Sequence, residues 1–168
     1  MKHLKYFSII IVLAFIVTSC STGEIDIVPT NPQQGDYFYT STSNYYLGNG
    51  TKEKEAVSQG SMSVNNSGSG ILLYITPNLG YSYIITINNL EVHGDTTTFR
   101  ISMQQIQIQS NSSDLNTFNL TGTNSIPVGN LGNYDGYFTN EKFVFAFKST
   151  NITSYDWVHT TTEATKRN

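Results

Sequence analysis

Residues 81–93 read YSYIITINNLEVH and residues 96–109 read TTTFRISMQQIQIQ, with Gly94-Asp95 between them. On the first stretch Tyr81, Tyr83, Ile85 and Ile87 fall on one side of an extended chain. Past Asn88-Asn89 the apolar series resumes at Leu90 and Val92, one residue out of step. The second stretch repeats the slip: Phe99, Ile101 and Met103 are followed, past Gln104-Gln105, by Ile106 and Ile108. Side chains of a strand alternate between its two faces, so a one-residue slip turns the apolar set to the other side unless the backbone bulges or bends there. Gly94-Asp95 has the residues of a hairpin turn. The pair therefore predicts a β-hairpin whose arms are bent in mid-course, and sheets that curve toward closure need such breaks.

The rest of the chain has the same grammar. In KFVFAFK, residues 142–148, Phe143, Phe145 and Phe147 share a face while Val144 and Ala146 are also apolar, which predicts a strand buried on both sides. Runs of strand-forming residues fall near 37–47, 56–65, 70–76, 116–123, 134–139 and 155–162 as well. They are separated by NNSGSG (65–70), PNLG (77–80), SNSS (110–113), the Gly- and Asn-rich 122–133, Asn140-Glu141 and TNITS (150–154). Only four alanines occur, and beyond the N-terminal apolar run no stretch has the period of a three-turn helix. The expected fold is all-β: a single meandering antiparallel domain of about eight or nine strands over residues 37–168, a barrel favoured and a β-sandwich the alternative.

Charged residues are 12% of the chain, whereas Ser, Thr and Asn together occupy 56 of its 168 positions, so hydroxyls and amides carry solubility. Without residues 1–19, seven basic residues face twelve acidic ones, a formal charge of -5. The few cations are scattered, which argues against nucleic acid as a partner.

Cys20 is the sole cysteine. One thiol makes neither an intramolecular disulfide nor the usual structural zinc site. Ahead of it, Lys2 and Lys5 precede the apolar run YFSIIIVLAFIV at 6–17 and the small residues Thr18 and Ser19. That order is signal-peptide grammar, and the twelve residues from Tyr6 to Val17 fall short of the roughly 20 of a membrane-spanning helix. The residues Val17-Thr18-Ser19-Cys20 resemble the lipobox of bacterial lipoproteins. The resemblance implies removal of residues 1–19, a diacylglycerol thioether on Cys20 and an extracytoplasmic, membrane-anchored protein, with the outer membrane the expected site. Residues 20–36, with two prolines and two glycines, then read as the lipidated cysteine and a flexible spacer.

A second resemblance is carried by GSMSV (60–64), GYSYIITINNLEV (80–92) and GYFTNEKFVFAFK (136–148), which look like the meandering hairpins of small calycin-like, or lipocalin-like, lipoproteins. The Gly-x-Trp signature of true lipocalins is absent, since Trp157 lies near the C-terminus without it.

No enzyme motif is present: neither Gly-x-Ser-x-Gly nor His-Glu-x-x-His, P-loop or dinucleotide fingerprint occurs. His93 and His159 are not spaced to share a metal. Asp135 in NYDGYF reads as a turn residue, and TKEKEA (51–56) as a solvated edge. No catalytic residue, metal or cofactor is expected.

Tyrosine is the excess with functional potential, because its ring is apolar and its hydroxyl polar. Tyr74, Tyr81, Tyr83, Tyr137 and Trp157 are the candidate ligand-binding residues. The expected function is a non-catalytic binding module for a small apolar or glycan-like ligand, the alternative a structural or interaction subunit of an outer-membrane assembly with a protein partner. A barrel interior left unfilled would favour the first, a solid core with an exposed aromatic patch the second.

Overall fold

Turn chemistry and alternation place the strand boundaries close to where the residues suggest. In a computed structural model that describes residues 34–109, 115–152 and 154–167, the strands are β1 (Gly35–Tyr46), β2 (Lys52–Ser67), β3 (Gly70–Pro77), β4 (Tyr83–Ile87), β5 (Asn89–His93), β6 (Thr96–Arg100), β7 (Gln104–Gln109), β8 (Leu115–Gly122), β9 (Ile126–Pro127), β10 (Asn133–Tyr134), β11 (Gly136–Phe138), β12 (Lys142–Ile152) and β13 (Tyr155–Lys166). One short 3-10 turn, Gly129–Leu131, accompanies them among the described residues. The spacer expected to reach residue 36 gives way to β1 two residues earlier. Cys20 and the segment 1–33 lie outside the described residues.

Every ladder is antiparallel, and all but the short β9–β10 pair, a two-stranded sheet of its own, belong to one nearly closed, barrel-like sheet. One path runs β4-β3-β2-β1-β13-β12-β11-β6-β5. At β12 the sheet forks. Phe143–Phe145 pair with β11, whereas Phe147–Thr150 pair with β8, which in turn pairs with β7. The two phase breaks in the sequence explain the fork. The hairpin at Gly94, whose φ of 61° is the left-handed conformation glycine tolerates, pairs only Asn89–His93 with Thr96–Arg100. Beyond Asn88 and beyond residues 101–103 its arms part: β4 turns to β3, and β7 turns to β8.

That divergence leaves β4 and β7 facing each other with no backbone ladder between them. One side chain spans the seam. The Gln104 amide accepts a hydrogen bond from the Thr86 N–H (2.9 Å) and donates one to the Thr86 carbonyl (2.9 Å), reproducing with a side chain what a neighbouring strand would provide.

KFVFAFK is buried on both faces, as its composition requires. Phe143, Phe145 and Phe147 enter the main core with Tyr37, Met62, Ile71, Leu73, Ile85 and Phe99. Val144 and Ala146 face outward but are covered by Ile126 and Tyr137, a small second core under the loop that carries β9 and β10.

Asp135 corrects the reading from sequence. It does not turn between strands but bends one chain segment between β10 and β11, and its carboxylate is enclosed. Oδ2 accepts from the Ile101 N–H (2.7 Å) and Oδ1 from the Asn124 N–H (2.5 Å). Its backbone joins in, the Asp135 N–H donating to Phe99 and the Ala146 N–H donating to the Asp135 carbonyl. A Cβ on Gly122 would lie 2.0 Å from the same carboxylate, so β8 must carry a glycine there. Asp135 thus knots the fork together: it supplies acceptors at the bend where β6 leaves β7 and the ladder cannot.

Candidate functional site

The interior face of β1 reads Tyr37, Tyr39, Ser41, Ser43, Tyr45, changing from aromatic to hydroxyl and back within one strand. The register carries the change around the barrel. Ser41 lies opposite Thr162 on β13 and Ser58 on β2, and Ser43 lies opposite Thr160. On β12 the aromatic series Phe143, Phe145, Phe147 likewise yields to Ser149. One end of the barrel is therefore packed with large apolar side chains. At the other end these small residues leave a cup of about 380 Å³ open to the mouth.

Phe147 floors the cup, its ring stacked at 6.1 Å on that of Phe145. Ser41, Ser43, Ser58, Ser149 and Thr160 form one wall, whereas Tyr83, Ile108 and Phe118 form another. Tyr83 meets Phe118 edge to face at 6.1 Å. At the rim stand Tyr45, Tyr81, Asn151 and Ile152. The Asn151 amide donates to the Thr117 carbonyl (3.3 Å), joining the β12–β13 turn to β8.

No Asp, Glu, Lys, Arg or His lines the cup among the described residues. Apart from the Asn151 amide at the rim, its polar side chains are hydroxyls. Ser41 and Thr162 share a hydrogen bond of 2.7 Å, and Ser43 and Thr160 one of 2.9 Å. Burial pushes the Tyr83 phenol far above its ordinary range, and the neighbouring Tyr39 and Tyr45 add to the shift. Tyr39 is also raised by burial, against a hydrogen bond from Ser58 that acts in the opposite direction. At neutral pH these phenols keep their protons and remain hydrogen-bond donors. The arrangement can enclose a small molecule, hydrogen-bond it and stack against it.

Of the five aromatic residues singled out from the sequence, the structure brings Tyr81 and Tyr83 to the cup and places the other three elsewhere. Tyr74 lies on the outside of β3, 37% exposed, in a second groove of about 670 Å³ along the seam. Ile84 and Met103 line that groove too, and Tyr83 is the wall common to groove and cup. Tyr137 packs over Val144 and Ala146. Trp157 is on the outer face of β13, stacked at 3.8 Å on Tyr46, with the Lys148 ammonium 4.7 Å from its ring centre. The serines and threonines of the cup were missed from sequence, although the in-phase series Tyr37, Tyr39, Ser41, Ser43 carried the signal.

The remaining candidates have local roles. The His93 ring nitrogen is 3.2 Å from the Thr98 hydroxyl beside the turn. His159 is half-buried on the outer face, where desolvation lowers its pKa. No three His, Cys, Asp or Glu side chains converge among the described residues. Compared with protein families, curated proteins and solved structures, the chain matches none.

Proposed function

We propose that this protein is a membrane-tethered extracytoplasmic lipoprotein and a non-catalytic binding module, which takes a small apolar or glycan-like ligand into the cup at the barrel mouth. The observation that carries the binding reading is a core filled at one end and emptied at the other by substitution of Ser and Thr for Phe and Tyr on the same strands. Its volume of about 380 Å³ lies within the roughly 300–1,000 Å³ range of small-molecule pockets. The tether rests on the order Lys2, Lys5, apolar 6–17, VTSC. A diacylated Cys20 has the two chains that stable anchoring needs.

Two variants test the binding reading. Ser43→Trp fills the cup, and it should abolish saturable uptake of an environment-sensitive apolar dye by the full chain. Met103→Asp, on the outer groove, should leave uptake intact. The opposite pattern would move the site to the groove. Tethering is tested by expressing the full chain in a Gram-negative host: the protein should fractionate with membranes and carry a lipid-sized mass at its N-terminus, and Cys20→Ala should lose both. A Cys20→Ala chain that stays membrane-bound with unchanged mass would rule the lipid anchor out.

A second reading, an interaction subunit of an outer-membrane assembly, is favoured by the seam. There Met103 (78% exposed), Ile84 (44%) and Tyr74 present apolar surface beside a strand edge without a ladder. Crosslinking from position 103 in intact cells should then give one discrete protein adduct, whereas the binding reading gives none.

A further inference from the structure

We infer that the cup selects a neutral, polyhydroxylated ring: a sugar-like molecule with one apolar face. The inference rests on the cup being a ligand site, and narrows what that site takes. Each Ser or Thr hydroxyl has one donor and two acceptor lone pairs. The bonds Ser41–Thr162 and Ser43–Thr160 each use one donor and one lone pair, so every pair keeps an O–H and three lone pairs for something else. Ser58 and Ser149 add hydroxyls to the same wall. Along β1 and β13 successive inward hydroxyls are about 7 Å apart, so the wall is a grid of donors and acceptors.

Three ligand classes meet that grid differently. A hydrocarbon displaces the water that satisfies the hydroxyls and returns no hydrogen bonds. An ionic ligand finds no opposite charge among the described lining residues, and a desolvated charge without a partner is strongly disfavoured. A neutral polyol replaces the water's hydrogen bonds on the serine wall, while the C–H face of its ring lies against Phe118, Ile108 and the Phe147 floor. Size agrees. About 380 Å³ is the share of about a dozen liquid waters at ~30 Å³ each, room for one or two sugar rings. The Tyr83 phenol, which lines the same cup and keeps its proton, supplies a further donor without charge.

The test uses the full chain in a zwitterionic detergent with three probes that share a phenyl group: phenyl glucoside, phenyl glucuronide and toluene. Titration calorimetry should show phenyl glucoside binding at least tenfold more tightly than either of the others. Thr160→Val keeps the shape of the wall and removes one hydroxyl. It should weaken phenyl glucoside about tenfold, leave toluene as tight or tighter, and be reversed by Thr160→Ser; Ser149→Ala provides a second hydroxyl deletion from another strand. If toluene or the glucuronide matches the glucoside in a manner that Ser43→Trp abolishes, the cup is a ligand site but the sugar assignment is wrong. If none of the three binds in a manner sensitive to Ser43→Trp, the cup is not a ligand site and both readings fall.

Discussion

Phe143 is completely enclosed, and its ring meets those of Phe138, Phe99, Tyr37 and Phe145 at centroid distances of 4.9, 5.6, 5.9 and 6.2 Å. Truncation to alanine would empty the centre of this cluster, and Phe143→Ala should lose about 3–5 kcal/mol in urea unfolding. Tyr37, edge-on to the same ring, gives a pH signature. Burial pushes its phenol up to about 12 from an unfolded value of about 10. The folded state therefore holds the proton that the unfolded state releases, so this contribution to stability is complete below about pH 10 and is lost as the pH rises toward 12. The loss amounts to about 2–3 kcal/mol. Melting temperature should fall across that window, and less steeply in Tyr37→Phe; a residual slope is expected because Tyr39 and Tyr83 shift in the same direction. The same strand shows why the cup was hard to read. Tyr37 and Tyr39 announce an inward face that Ser41 and Ser43 continue in phase, but the chemistry of a serine does not distinguish a hydroxyl in a cavity from one on the surface. Tyr83 was legible as an aromatic in phase with a strand. Tyr74, Tyr137 and Trp157 share that chemistry and lie elsewhere, because composition does not tell which side of a sheet faces inward.

Elements were more legible than their partners. The slips at Asn88-Asn89 and Gln104-Gln105 are local and survive in the structure as the ends of β4 and β7. Which strand each arm joins after the slip is decided by closure of the whole ring, and within β12 itself nothing in the residues marks where its partner changes from β11 to β8. The Gln104 clasp makes a definite expectation. Gln104→Ala removes both hydrogen bonds to Thr86, at a cost of about 1–3 kcal/mol, and should speed hydrogen exchange at the Thr86 amide far more than at the Tyr74 amide on the laddered strand beside it. Gln104→Glu keeps the acceptor but not the donor and should fall between. At the fork, Asp135→Ala strands the buried amide of Ile101, at a cost of about 1–3 kcal/mol, and leaves the amide of the exposed Asn124 to water. Gly122→Ala drives a methyl group into the Asp135 carboxylate and should be at least as damaging by thermal melt.

At the scale of the whole molecule, the barrel is filled by large apolar side chains at one end and lined by hydroxyls at the other, where the proposed binding site lies. Substitutions should sort the same way: Leu73→Ala should unfold the domain, whereas Ser58→Ala should change binding with stability nearly intact. The ring also joins the first and last strands of the domain. β1 pairs with β13 from Tyr37 opposite Lys166 to Tyr46 opposite Trp157, and one of the buried hydrogen bonds between them spans 121 positions. Contacts so distant in sequence make folding slow, since most of the chain must be confined before they form. They also impose an order in time. A chain that crosses a membrane N-terminus first, as proposed here, presents β1 and β2 to the far side long before β13 arrives, so the β1–β13 side of the ring closes only once β13 has crossed.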